Sequence, residues 1–495
     1  MTNVFNRREA AALIGAAAFA ACQTATAAPQ NPPTGKDVRL GAVTSRKRGT
    51  FNGVKVDYDA IVEPIPISDA SGKPIARIIS TSYLSAKPQT NRPVLFVFNG
   101  GPISASSVLH MGAMGPKRIA IPDDITAAPS TFRVVDNTYA LLDIADIVFF
   151  DPASTGLSRV ADGVDSKSQY SATADGQQAA LFVTEWSRRH NRMDAPKYVL
   201  GESYGTIRAA VMANQLLKSP TPLRGVIVLG QALNIVEFSQ RPQNIVSYVV
   251  SLPTLAAAAH WHGKGKPAGR SLETFTEDAW RFAQSDYMPA LFKGRNLDEA
   301  TKQKIANELE AYSGLPASWY MANNIRISKE NYRRELFRAE GVILGQTDAR
   351  YKGPNPDGRG GDPSRVIATA YQDAFIAHMR DELGVAGTAD YQHAAPDAPQ
   401  GLDGWDYGGK GPFADWPFAA QITPCFAADP KFRVLVGNGY HDTQTTVGAA
   451  RYMVDQSGWP ADRTTLRFYP GGHMTYSIEA SLKAITGDIR AMLTA

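Results

Sequence analysis

Lys197-Tyr198-Val199-Leu200-Gly201-Glu202-Ser203-Tyr204-Gly205, followed by TIRAAVMANQLLK at 206–218, decides the fold. The first residues read as a short strand, the last stretch reads as a helix, and between them stands a G-x-S-x-G pentapeptide. That context is what a nucleophile elbow needs: the serine sits on a tight strand-to-helix turn, and small flanking residues let the backbone close on itself. The pentapeptide alone arises by chance in glycine turns. The strand before it and the helix after it give it weight.

Outward from the elbow, similar runs recur. PVLFVFNGG (93–101), ADIVFFD (145–151), KYVLG (197–201), GVIVLG (225–230), FRVLVGN (432–438) and TLRFYPGG (465–472) are continuous apolar runs without alternation. Strands buried on both faces of a parallel sheet read this way. KVDYDAIV (55–62) and ARIISTSYL (76–84) are earlier strand signals. Helical patterns intervene: Ala179, Phe182, Val183 and Trp186 make a core-facing stripe between Thr173 and His190. Strand and helix alternate, so the class is α/β, with a mostly parallel central sheet flanked by helices. The elbow specifies the α/β-hydrolase fold.

The alternation lapses from about Val236 to Thr423, where helical segments and Gly/Pro-rich loops (KGPNPDGRGGDPSR, GLDGWDYGGKGPFADWP) dominate. Asn296 with Glu299 reads as a capping-box helix start, and Ile305, Leu309 and Tyr312 give that helix its apolar face. The expected organisation is an export signal at 1–28, a tether at 29–37, a first core segment at 38–235, a mainly helical cap insertion at 236–424, and a second core segment at 425–495.

A serine hydroxyl needs a base within hydrogen-bond reach to become a nucleophile. Of eight histidines, His473 in YPGGHM follows a strand signal near the C-terminus, where the chain order serine, acid, histidine places the base. His110 and His190 precede the serine, and His260, His262, His378 and His393 lie in the insertion. The acid that orients the imidazole should leave a strand end between serine and histidine. Asp442, after FRVLVGNGYH, does so; Asp455 and Asp462 are its rivals, and His441 is an adjacent histidine with little chance of facing the same serine. Two backbone donors are also required for the oxyanion of acyl transfer. One is the N–H of Tyr204, and the FVFNGGP loop supplies the other. Asn99-Gly100-Gly101-Pro102 is otherwise a plain turn.

Taken together and in order, FNGGP, DIVFFDPASTGLSR, GESYGT, GNGYHDTQTT and GGHM resemble the landmarks of the serine carboxypeptidase family, especially its bacterial branch. The resemblance covers most of the chain outside the insertion. It implies a helical cap on an α/β-hydrolase core and release of C-terminal residues from peptides. Residue by residue it assigns Ser203, Asp442 and His473 to a triad, the amides of Gly101 and Tyr204 to the oxyanion hole, and Asn99, Gly100 and Glu202 to the substrate's terminal carboxylate. A carboxyl beside a carboxylate must be protonated to donate a hydrogen bond, so Glu202 is expected to have a raised pKa and to favour acidic conditions. Two positions depart from the pattern: Ile103 stands where the NGGPG loop has glycine, and Ala113 stands where eukaryotic members place a glutamate. An esterase or acyltransferase on the same core, and a catalytically silent binding protein, are the rival functions.

Composition narrows the partners. Lysine and arginine number 51 against 47 aspartates and glutamates, without a clustered basic stripe, so nucleic acid is not an expected partner. His260-Trp261-His262 has no carboxylate or cysteine at ligand spacing, and no metal or cofactor is indicated. The Trp405–Phe418 aromatics fit either a substrate cleft or cap packing. Arg7 and Arg8 precede the apolar run LIGAAAFAA, long enough for a signal peptide and too short to span a bilayer. The paired arginines resemble a twin-arginine signal. Export to the periplasm or medium is expected, with cleavage after Ala25-Thr26-Ala27 or at a lipoprotein-like box ending at Cys22. Membrane attachment would require lipidation at Cys22. Either route leaves Cys425 without a disulfide partner. Oligomeric state is not legible.

Overall fold

The apolar runs assemble into one twisted sheet whose order differs from their order in the chain. The structure, a computed structural model, describes residues 40–87, 89–355, 361–398, 404–409 and 415–495. The export segment, the tether, Cys22 and parts of the two Gly/Pro-rich loops of the insertion lie outside the described residues. The main strands are β1 (Val43–Phe51), β2 (Val54–Ser68), β3 (Pro74–Ser85), β4 (Val94–Phe98), β5 (Asp146–Phe150), β6 (Lys197–Glu202), β7 (Leu223–Leu229), β8 (Arg433–Gly439) and β9 (Thr464–Tyr469). Their spatial order is β1-β2-β3-β5-β4-β6-β7-β8-β9. β1, β2 and β3 pair antiparallel, as do β3 and β5. From β5 to β9 every neighbouring pair is parallel. This is the α/β-hydrolase arrangement, with the six continuous apolar runs forming its parallel part.

Alternate side chains of these strands feed two cores. Phe96, Phe98, Val199, Val226 and Val228 point to one face, where helices α1 (Ala172–Arg189) and α2 (Gly205–Leu216) bring Phe182, Trp186 and Ile207. Leu95, Val97, Leu200, Ile227 and Leu435 point to the other, against Leu482, Ile485 and Ile489. Each such side chain taken fully from water contributes about 1.5–3 kcal/mol before entropy. The stripe read at Ala179, Phe182, Val183 and Trp186 is buried to the last residue.

Two local readings need correction, and one strand gives no signal in the sequence. β9 is an edge strand with β8 as its one neighbour, so its burial is only partial where burial on both faces was expected. β1, sequence VTSRKRGTF, alternates half-buried with exposed residues and gives no apolar run; its pairing with β2 makes it a strand. The helix at Glu299–Ser313 is capped by Asp298, whose side chain accepts from Thr301 N–H at 2.8 Å. Asn296 belongs to a preceding 3-10 turn, because the Asp298 carboxylate is the acceptor nearest the helix's free amides. Ile305, Leu309 and Tyr312 are buried.

Between β7 and β8 the chain leaves the sheet. Helices Val246–Trp261, Leu272–Phe282 and Glu299–Ser313 pack on one another around a separate core that includes Leu255, Phe275, Leu309 and Tyr320. A short hairpin, Val342–Leu344 with Lys352–Pro354, brings the connecting segment Gln346–Arg350 over the carboxyl ends of the parallel strands. Among the described residues, no helix is long and apolar enough to cross a membrane.

Candidate active site

β6 ends at Glu202, α2 begins at Gly205, and Ser203 occupies the turn with φ +59°. A non-glycine residue reaches this region at a cost, and such strain persists only where the surroundings hold it. They do: Ser203 N–H donates to Leu229 O at 2.9 Å, and Thr206 N–H donates to Ser203 O at 2.9 Å. Gly201 is required by contact, since a Cβ there would lie 2.2 Å from Gly205 O.

Asp442 and His473 follow β8 and β9, so both stand at the carboxyl edge of adjacent parallel strands. His473 Nδ1 and Asp442 Oδ2 are 2.6 Å apart and both residues are buried. Asp442 is otherwise saturated: Gln444 N–H and Thr445 N–H donate to Oδ1 at 2.8 and 3.1 Å, and the Thr445 hydroxyl donates to Oδ2 at 2.6 Å. Burial alone would lower the His473 pKa, but the Asp442 charge and hydrogen bond, with Glu202 adding to them, raise it to about 9. The imidazole rests on Gly230, where a Cβ would meet Cε1 at 2.8 Å. Gly230 directly follows the residue that anchors the Ser203 amide. Ser203 Oγ makes no hydrogen bond to His473 in this structure. Serine–histidine bonds in substrate-free hydrolases are often long and tighten when substrate arrives.

The other acids and histidines are occupied elsewhere or face away. Asp455 lies on helix Val447–Gln456, and Asp462 is an exposed residue before β9. His441 is buried against Trp261, and burial lowers its pKa to about 4. His110 and His378 share the Tyr83 hydroxyl, at 2.7 and 3.1 Å, and His190 meets Glu63 at 2.5 Å. His260 and His262 bond the carbonyls of Arg270 and Ala349. The ring of His393 packs edge-on against Tyr391. Among the described residues no group of three or more His, Cys, Asp or Glu could hold a metal ion.

Asn99 begins the loop after β4. Its Nδ2 donates to Glu202 Oε2 at 2.6 Å, and its Oδ1 accepts from Leu109 N–H at 2.9 Å. Burial raises the Glu202 pKa to about 7, against the opposing pull of His473. Glu202 Oε1 has no hydrogen-bond partner. The Tyr476 phenol, close enough to act on the ionisation of Glu202, also lacks a bond of good geometry. Gly101 has φ +122°, a left-handed conformation open to glycine, and Ile103 (φ +50°) is held there by burial in the core. A Cβ on Gly100 would fall 2.6 Å from Tyr204 N, so this loop and the elbow lie in contact. Neither the Gly101 nor the Tyr204 N–H has an acceptor among the described residues. Ala113 is buried, and its carbonyl accepts from Asn137.

Residues outside every motif also shape the site. The buried Arg208 bonds Asp175 at 2.8 Å and Asn99 O at 2.7 Å, pinning the loop to α2. Arg208 lies a turn beyond the elbow in a helix that the sequence presents as apolar, so only its charge in that setting could have signalled it. The segment Gln346–Arg350 is stitched to both loops: His473 N–H donates to Thr347 O at 2.6 Å, Ala349 N–H to His441 O at 2.9 Å, and Thr443 Oγ1 to Gln346 O at 2.6 Å. Trp405 and Phe418 are core residues, and Trp416 Nε1 donates to Ala232 O at 3.2 Å.

Residues 81–233 match the serine carboxypeptidase family. The matched stretch holds Asn99, Gly100, Gly101, Glu202, Ser203 and Tyr204 and ends before Asp442 and His473. No curated protein matches the chain. Solved structures similar to it include proline iminopeptidase from Mycobacterium smegmatis, at 12% identity over 88% of this chain and 99% of that one with a TM-score of 0.39. Juvenile hormone epoxide hydrolase from the silkworm Bombyx mori is 12% identical over 88% and 78%, with a TM-score of 0.31. The 2-hydroxy-6-oxo-6-phenylhexa-2,4-dienoate hydrolase from a Rhodococcus species is 11% identical over 88% and 100%, with a TM-score of 0.32. The sheet topology is that of the α/β-hydrolase fold, and the family match over residues 81–233 supports a serine hydrolase.

Proposed function

We propose that this chain is an exported serine carboxypeptidase that releases C-terminal residues from peptides through an acyl-enzyme on Ser203. The observation that carries the reading is the Asn99–Glu202 pair beside the nucleophile. Below about pH 7 burial keeps the Glu202 carboxyl neutral. With Oε2 accepting from Asn99, the proton belongs on Oε1, whose partner would be a substrate carboxylate. A neutral carboxyl can donate there; an ionised one would repel.

In the proposed reaction Ser203 Oγ attacks the carbonyl carbon while Nε2 of His473, in the neutral form that its raised pKa makes the minor one at neutral pH, takes the hydroxyl proton. Asp442 keeps the imidazole in one orientation and stabilises its cation. The negative oxygen of the tetrahedral intermediate faces the Gly101 and Tyr204 amides. The C–N bond then breaks, His473 returns the proton to the leaving amine, and water attacks the acyl-enzyme by the same steps in reverse. The Ala113 side chain favours a second reading, an esterase, because it removes a carboxyl partner for the substrate terminus.

The test is a panel of one blocked dipeptide as free acid, C-terminal amide and methyl ester, assayed from acidic to mildly alkaline pH. A carboxypeptidase prefers the free acid at acidic pH. Preference for the ester at every pH favours the esterase. Failure of a fluorophosphonate probe to label Ser203 would leave a binding protein.

A further inference from the structure

One buried cation links the insertion to the loop that carries Asp442. Lys329 opens the short helix Lys329–Glu335, which Ser328 caps, and its backbone N–H donates to Gln240 Oε1 at 2.8 Å. Its side chain is buried. Nζ donates to Gln444 O, stands 3.7 Å from Glu237 Oε1, and lies 3.9 Å from the centre of the Phe238 ring. Glu237 is fully buried and holds the far side of the same loop, accepting from Thr446 N–H at 2.9 Å and Thr446 Oγ1 at 3.0 Å.

The Gln444 carbonyl and the Thr445 N–H are two ends of one planar trans peptide, so fixing one fixes the other in the opposite direction. Lys329 takes the carbonyl, and the N–H points at Asp442 Oδ1, 3.1 Å away. Hydrogen bonds aligned in such a chain polarise and strengthen one another. Burying an ammonium and a carboxylate is costly, and apolar residues of similar volume often serve stability as well or better. A packing role alone therefore does not account for this pair.

We propose that Lys329 is a positioning residue: from the insertion, it holds the Gln444–Thr445 peptide so that Asp442 stays set against His473. The proposal rests on the reading of Asp442 and His473 as the relay for Ser203. Three acidic groups face the Lys329 charge, namely Glu237, Asp442 and Glu330. His473 in turn senses Asp442, Glu202 and Lys329, and the lysine opposes its protonation.

The experiment compares Lys329→Met/Glu237→Gln, Lys329→Gln and Asp442→Asn with the parent on a simple ester, so that carboxylate recognition plays no part. The double variant avoids leaving Glu237 buried without its cation, and Lys329→Gln keeps a donor for Gln444 if the double variant does not fold. For the double variant, which removes one charge of each sign, we expect kcat to drop about 10–100-fold, as for loss of a charged hydrogen bond, with KM changed less than about twofold and the acid limb of the pH profile moved to lower pH, because Asp442 then holds the His473 proton less firmly. Lys329→Gln, which keeps that donor, should show a smaller loss of kcat. Folded variants that retain the parental kcat and pH profile overturn the proposal. So does a lower melting temperature with neither kcat nor the pH limb moved, which marks a packing role. If Asp442→Asn keeps full activity, the relay reading itself falls; if it is disabled while the Lys329 variants are not, only this proposal falls.

Discussion

Glu202→Gln separates recognition of a substrate terminus from mere packing. In the parent, burial lifts the Glu202 pKa from 4.5 to about 7, a preference for the neutral form of roughly 3 kcal/mol. A peptide's terminal carboxylate is ionised above about pH 5, so only the enzyme's carboxyl changes state near neutrality. About nine-tenths of Glu202 carries a donor proton one pH unit below its pKa, and about one-tenth one unit above it. The ratio of kcat/KM for a free-acid dipeptide to that for its amide should therefore be flat below about pH 6 and fall about tenfold per unit above about pH 7. Taking the ratio cancels the titration of His473, which both substrates need. In Glu202→Gln the side chain donates at every pH, so the ratio should be level throughout. Stability offers a weaker readout. A carboxyl whose pKa is raised on folding stabilises below its unfolded pKa, and that contribution is lost as pH rises from about 4.5 to about 7. Glutamine removes the loss of roughly 3 kcal/mol at pH 8, but burying its unpaired N–H costs about 1–3 kcal/mol, so the net change is small. A parental ratio that does not fall, or a variant ratio that falls with the same apparent pKa, would refute the assignment of Glu202 to the substrate terminus.

Ser203→Ala should lower turnover roughly a million-fold with an unchanged melting temperature, read by ester hydrolysis beside a thermal scan. Gly230→Ala places a Cβ 2.8 Å from His473 Cε1 at φ +54°; kcat should fall at least about tenfold while the far-ultraviolet circular dichroism stays parental. Asp175→Asn leaves the buried Arg208 without its carboxylate and should destabilise by about 3–5 kcal/mol, measured by urea unfolding. Parental stability would show that Arg208 is satisfied by Asn99 O and its aromatic neighbours.

The parallel half of the sheet was legible because its strands bury both faces, and unbroken runs such as VLFVF and GVIVL have no other comfortable environment. β1 was not, because Ser45, Arg46, Lys47 and Arg48 carry no apolar signal and the strand exists through its partner. Ser203, Asp442 and His473 could be picked out because each follows a strand signal, in an order that parallel topology turns into one edge. Lys329, Glu237 and Arg208 could not, because their meaning lies in what they face across long sequence separations. A lysine opening a short helix looks like any solvated lysine until the opposing carbonyl is known. The capping residue of the helix at Glu299 was missed by two positions, since Asn296 and Asp298 are both good caps and only the backbone path chooses between them.

The stitching of Gln346–Arg350 to the loops at His441, Thr443 and His473 bears on how such a molecule can be altered. A designer who trims the insertion to leave a bare sheet would also cut the anchors of the imidazole's own backbone, so a minimal version should fold yet work poorly.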